Sequence, residues 1–114
     1  MITIYHNNRC SKSRQCLTIL QNENTTYRVR NYLQEPLNIS EIKSLQKKLG
    51  VPVSAMIRAQ ESIYQALFKD RQPSEDELIE AIAEHPILLQ RPIVELEDSA
   101  VIARPPEKVF DYIS

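Results

Sequence analysis

Glycine is almost missing from this sequence. The 114-residue chain has one, Gly50, where an average chain of that length carries about eight. A single glycine cannot build the phosphate-binding Walker loop or the dinucleotide fingerprint, which need several at close spacing. Tryptophan is absent, and cysteine occurs only as Cys10 and Cys16. Charge of one sign is lacking too. Fourteen Lys and Arg stand against fifteen Asp and Glu, a net charge of -1, so no global field gathers nucleic acid or anionic lipid. No apolar run approaches the roughly 18 residues of a membrane span. The first eight residues, Met-Ile-Thr-Ile-Tyr-His-Asn-Asn, have no basic start leading into an apolar stretch, so no secretory signal is visible. The expected compartment is the cytoplasm, where cysteines stay reduced and are more often catalytic or buried than bridged.

What is present is an ordinary globular composition, 42% hydrophobic and 25% charged. It predicts one domain over 1–114, with about two-thirds of the unfolded surface buried. Residues 2–5 are β-branched and aromatic and read as a strand stopped by Asn7 and Asn8. Cys16, Leu17, Ile19 and Leu20 have helical spacing over 11–22. A second strand is expected over 25–29, giving a parallel β-α-β opening with a right-handed crossover. Ser40 reads as a helix N-cap, with Ile42, Leu45 and Leu49 as the apolar stripe and Gly50 as the terminator. Pro52 can open a short helix running to Ile57. Ser74 with Glu77 forms a capping-box pattern for a helix that Pro86 stops. Strands at 93–96 and 100–103 lie close enough to make a hairpin, and Pro105 suits the first turn of a last helix. The economical architecture is α/β, a small mixed sheet with helices on it.

Cys10 falls between the first strand and the first helix, where open sheets place ligands. Unpaired N–H groups at a helix start stabilise a thiolate and receive oxyanions. Its neighbours are Arg9, Ser11, Lys12 and Arg14, which favour a reactive thiol over an inert buried one. Alkylation of Cys10 is expected to titrate well below the usual thiol value of about 8.5. Cys16 fits a buried role on the stripe with Leu20. Six helical residues separate the cysteines by about 9 Å, beyond the roughly 4.4–6.8 Å between bridged Cα atoms. Ser13 excludes a Cys-x-x-Cys switch, and Cys16 occupies the position that the Cys-x5-Arg phosphatase loop gives to arginine.

Arg58, Arg91 and Arg104 stand at element boundaries. The last two precede prolines, which biases them toward extended backbone. Arg104, at a helix start, opposes the macrodipole unless an anion neutralises it. Each taken singly reads as a surface arginine, and spacing alone does not bring them together. His6, four residues before Cys10, is placed to tune the thiolate or simply to be hydrogen-bonded. His85 reads as a helix end, and no metal-site spacing is present. Arg28 and Arg30 read as a solvated face, not a nucleic-acid surface.

Several motifs add to this. His6-Asn7-x-x-Cys10-Ser11-Lys12-Ser13-Arg14, Tyr32-Leu33 before Pro36, His85-Pro86-Ile87-Leu88 through Arg91-Pro92-Ile93-Val94, and Arg104-Pro105-Pro106-Glu107 resemble the glutaredoxin-coupled arsenate reductase family over nearly the whole chain. The resemblance implies a thioredoxin-like fold with a four-stranded mixed sheet. It also implies a helical insertion at about 37–86, between the second and third strands, and a cis Arg91–Pro92 bond. It makes Cys10 the nucleophile and assigns oxyanion binding to Arg58, Arg91 and Arg104. His6 and Arg14 are the residues expected to tune the thiolate. Asn8 stands where the family usually has proline, which frees the backbone of that loop. The implied reaction reduces arsenate, or a similar oxyanion, to arsenite. Glutathione is the co-substrate and glutaredoxin the partner, with no bound cofactor. Two other readings remain open: a general glutathione-linked thiol oxidoreductase, and a non-catalytic thiol-stress regulator that binds RNA polymerase. A monomer is the default expectation.

Overall fold

The computed structural model describes residues 1–113. Two compact units emerge, one made of Met1–Glu35 with the segment from Arg91 onward, the other of 36–90. The first holds the sheet. Strand β1 (Ile2–His6) is joined through helix α1 (Ser11–Asn22) to β2 (Tyr27–Asn31), which pairs with it in parallel. After the helical unit the chain returns as β3 (Ile93–Glu95) and β4 (Ala100–Ile102), an antiparallel hairpin, with β3 also antiparallel to β1. The spatial order is β2-β1-β3-β4. Central β1 is covered from its second residue onward, as its β-branched and aromatic run requires.

One face of this sheet carries the core. Ile4, Val94 and Val101 pack with Cys16 and Leu20 of α1 and with Ala103 and Val109. Cys16 and Leu20 lie four residues apart on one helical stripe, so a single face of α1 is withdrawn from water. Full burial of a leucine such as Leu20 contributes about 1.5–3 kcal/mol. The chain closes with a 3-10 turn, Pro106–Val109, that continues into α5 (Phe110–Ile113).

The helical unit contains α2 (Ile39–Leu49), α3 (Ser62–Phe68) and α4 (Glu75–Glu84), with short 3-10 turns at Val53–Ala55 and Pro86–Leu88. Ile42, Leu45, Val53, Met56, Leu78, Ile82, Leu88 and Leu89 are buried in it. An isolated bridge ties Ile57 to Leu89. Helix α4 starts as its sequence signals, the Ser74 hydroxyl accepting from the Glu77 N–H and Glu77 returning a bond to the Ser74 N–H. Helix α2 ends at Gly50, whose φ of 67° is the left-handed conformation that glycine adopts without strain.

Three local expectations need correction, and one helix, α3, was not anticipated. The cap of α2 is Asn38, not Ser40: its side chain accepts from the Glu41 N–H at 2.8 Å, and Glu41 accepts from the Asn38 N–H at 3.0 Å. Strand β2 begins at Tyr27 instead of Thr25. Asn24 takes a left-handed φ of 56°, and the Thr25 N–H is held by the Leu20 carbonyl, so these residues complete the exit from α1. Helix α3 carried no cap signal; its edge-to-face Tyr64–Phe68 pair, centroids 5.1 Å apart, is a contact one turn long. Pro105 is the cap of the last turn, which begins at Pro106.

Leu20→Ala is expected to lower stability by about 2–5 kcal/mol, read from the midpoint of urea unfolding. A loss below about 1 kcal/mol would show that α1 is not anchored through this stripe.

Candidate active site

The site grows out of the turn between β1 and α1. The Cys10 N–H donates to the Asn7 carbonyl at 3.0 Å, and the Cys10 carbonyl accepts from the Arg14 N–H at 3.0 Å. Cys10 is therefore the N-cap of α1, in extended conformation. Side chains brace the turn from within. Asn7 Oδ1 accepts from the Arg9 N–H at 2.9 Å, and Arg14 Nη1 donates to the Asn8 carbonyl at 2.7 Å. The buried Ser13 hydroxyl accepts from the Asn7 N–H at 3.0 Å and meets His6 Nδ1 at 2.6 Å. A hydroxyl can donate to a bare ring nitrogen or accept from a protonated one, so the contact holds the His6 ring in place in either tautomer. Burial lowers the His6 pKa, a hydrogen bond with the Asn8 side chain opposes this, and the charge of Arg14 lowers it further.

The two cysteines have opposite surroundings. Burial pushes the Cys16 thiol up to about 12, leaving it neutral and unreactive. Burial alone would also raise Cys10. The Ser13 N–H, a hydrogen bond from the Arg91 side chain, the Arg91 charge and the Lys12 N–H together outweigh it, and the pKa falls below the ordinary thiol value. The neutral thiol makes no full capping bond; the N–H groups of the first helical turn act on the charged form.

Arg91 stands just before β3, which lies antiparallel against β1. Its Nε and Nη1 are shut off from water and have no hydrogen-bond partner. Its carbonyl accepts from Arg104 Nη1 at 2.9 Å, so the exposed Arg104 side chain is drawn back to the same place. The Arg91–Pro92 and Arg104–Pro105 peptides are both cis. The arrangement brings the Cys10 sulfur, a helix N-terminus and the Arg91 guanidinium together, a combination suited to an oxyanion at sulfur, while Arg104 is held against the Arg91 backbone.

Not every expected residue acts as the sequence suggested. The charge that stabilises the thiolate comes from Arg91, whereas Arg14 acts on the loop carbonyl and on His6. His6 reaches the cysteine through Ser13 and not as a cation. Arg58 lies in the helical unit, with Nε 3.1 Å from a Glu61 carboxylate oxygen and its N–H donating to the Leu88 carbonyl at 2.7 Å. Ser13 was missed as a site residue. A signal existed, since it shares the apolar stripe of Cys16 and Leu20, where a hydroxyl needs a dedicated partner. Among the described residues, no cluster of three or more His, Cys, Asp or Glu could hold a metal ion.

Iodoacetamide should alkylate Cys10 with a titration below the ordinary thiol range while Cys16 stays unreacted until about pH 12. Arg91→Ala removes a group that favours the thiolate, so the Cys10 titration should move to higher pH. Equal reactivity of both cysteines, or no movement in the variant, would overturn this electrostatic account.

A model of the ArsC family matches residues 5–111. The arsenate reductase of Haemophilus influenzae is 41% identical, covering 98% of this chain and 98% of its own. The uncharacterized protein YfgD of Escherichia coli K12 is 38% identical over 98% of this chain and 96% of its own. The solved structure of the arsenate reductase from Vibrio cholerae superposes with a TM-score of 0.93 at 42% identity, covering 98% of this chain and 97% of that one. The fold is the thioredoxin-like one. With nearly every residue of the chain inside the family match, this protein belongs to the ArsC family.

Proposed function

We propose that this protein is an arsenate reductase that works through Cys10 alone, as a monomer in the reducing cytoplasm, with glutathione and glutaredoxin as external reductants. The observation that carries the reading is the Arg91 guanidinium, with buried, unpartnered Nε and Nη1, set against a thiol whose pKa is lowered. Buried donors without partners are costly, about 1–3 kcal/mol each, and an oxyanion at sulfur satisfies them. Relatives at about 40% identity carry the name arsenate reductase, which supports the choice of oxyanion.

The chemistry follows from the groups in place. The Cys10 thiolate attacks arsenic(V), a sulfur–arsenic bond forms, and one arsenate hydroxyl takes a solvent proton and leaves as water. Arg91 and Arg104 hold the remaining oxygens and offset their charge. The family resemblance adds Arg58 as a cation for the arsenic(III) stage. Glutathione then adds its sulfur to arsenic with loss of a second water. A glutaredoxin thiolate attacks that glutathione sulfur and forms a mixed disulfide. The electron pair of the broken sulfur–arsenic bond stays on arsenic, which becomes arsenic(III). Water cleaves the Cys10–arsenic bond, releasing arsenite and restoring the thiolate. Cys16, buried and neutral, is a poor resolving thiol, which supports an external reductant.

An NADPH-coupled assay with arsenate, glutathione, glutaredoxin and glutathione reductase tests the proposal. Cys10→Ser should abolish arsenate-dependent turnover, and Arg91→Ala should lower kcat/KM for arsenate by about 10²–10³-fold, as for loss of a preorganised oxyanion donor. An arsenate-dependent rate no higher than that of Cys10→Ser would sink the proposal. Turnover of a glutathione mixed disulfide in its place would make the protein a general thiol oxidoreductase.

A further inference from the structure

Every polar group of Asn7 is engaged around the nucleophile loop. Its backbone N–H donates to the Ser13 hydroxyl at 3.0 Å, and its carbonyl accepts from the Cys10 N–H at 3.0 Å. Its side-chain oxygen accepts from the Arg9 N–H at 2.9 Å. The fourth group, Nδ2, points out of the loop and donates to the Tyr32 hydroxyl at 3.4 Å, the longest of the four bonds. Asn7 is 8% exposed and Tyr32 is fully buried. Parallel pairing of β1 with β2 brings them together. His6 lies opposite Asn31, and Asn7 and Tyr32 are the next residue after each.

The Asn7 amide has two ways to face, and only one serves the loop. The Arg9 N–H can only donate, so it requires Oδ1. That leaves Nδ2 for Tyr32, whose hydroxyl, able to donate or accept, accepts here. Take the hydroxyl away and the buried Nδ2 loses this acceptor where water cannot replace it, an unfavourable state that turning the amide would relieve. Oδ1 would then leave the Arg9 N–H. Arg9 adjoins Cys10, and the Cys10 N–H is bonded to the carbonyl of the same Asn7, so the brace is lost one residue from the sulfur. The Ser13 and Lys12 N–H groups favour the thiolate only while the sulfur stays aligned with them. Resting on Cys10 as the nucleophile of the reaction proposed above, we infer that Tyr32 is a positioning residue: through Asn7, its hydroxyl holds the Cys10 sulfur in line with the helix start. Its effect is on the aim of the nucleophile, not on the binding of either substrate.

The test compares Tyr32→Phe, which removes the hydroxyl and keeps the ring, with Asn7→Ala and with the double variant. Iodoacetamide alkylation of Cys10 should titrate at higher pH in Tyr32→Phe than in the unmodified chain, and at least as high in Asn7→Ala. Adding Tyr32→Phe to Asn7→Ala should cause no further movement, because a residue that acts through Asn7 then has nothing to act on. In the coupled assay, Tyr32→Phe should lower kcat for arsenate about tenfold, the scale of one buried hydrogen bond, while KM for arsenate and for glutathione changes much less. An unchanged Cys10 titration in Tyr32→Phe would overturn the assignment. So would a rise in KM at unchanged kcat, or additive effects in the double variant, which put the influence of the hydroxyl outside Asn7. A Tyr32→Phe chain that no longer folds would make the hydroxyl a structural prop and overturn it as well. A titration that moves in Tyr32→Phe but not on the Asn7→Ala background, in a protein that does not reduce arsenate, would retain the positioning role and overturn the reaction instead.

Discussion

The Arg91 guanidinium, two of its nitrogens closed off from water, stands against a cysteine sulfur, and the chain holds it there from both sides. Arg91 reaches Cys10 from the approach to β3, while Cys10 itself caps the helix that follows β1. In water such a contact would be weak, because both groups would be better solvated apart. Here Nε and Nη1 are closed off and unsatisfied, so the charge interacts strongly with whatever anion is nearest. The thiolate is one such anion and a bound oxyanion another. In the proposed reaction one residue both activates the nucleophile and receives its target, and a protein close to electrical neutrality then needs no strong overall field.

The cation is only half of the device. Lys12 and Arg14 fall in the first turn of α1, at the positive end of the helix dipole, and that turn contains no acidic residue. Such placement costs helix stability unless negative charge arrives. Ser13 holds this turn together with a hydroxyl that is buried and used in two directions, toward the Asn7 N–H and toward His6. Its own N–H faces the thiol. Local stability is given up where an anion is to bind, and the bracing is placed one residue deeper, out of the reach of water.

Much of this was legible in the residues. The apolar period of α1, the β-branched run of β1, the Ser74–Glu77 box and Gly50 each act through neighbours a few positions away, so the signal survives in the linear order. Cys10 could be found because a strand end, a helix start and basic neighbours coincide in one short segment. The residue that activates it could not be chosen by spacing: Arg91 enters through strand pairing across most of the chain, and only the family resemblance pointed to it. Lys12 and Arg14 were the visible cations, yet a long side chain beside a nucleophile in sequence readily points elsewhere, as Arg14 does toward Asn8. The start of α2 illustrates the same limit on a small scale. Asn38 and Ser40 are both good caps, and the reciprocal bond from Glu41, three residues after Asn38, decides between them.

The pairing of β1 with β3 acts as a ruler for the chemistry. Ile4 lies opposite Val94 and Tyr5 opposite Ile93, and Arg91 stands two residues before that ladder, as the nucleophile loop stands just after its β1 side. Adjacent residues on a strand are about 3.4 Å apart and point to opposite faces. A slip of a single position would carry the guanidinium away from the sulfur and turn its stem to the other side of the sheet. The hairpin would keep its hydrogen bonds and much of its burial, but the cysteine would lose its cation. Tolerance to insertion or deletion should therefore differ sharply between the two ends of β3. The turn toward β4, at Glu97, Asp98 and Ser99, can change length without moving Arg91, whereas the stretch from Arg91 to Ile93 sets the distance between two reacting partners and has no slack.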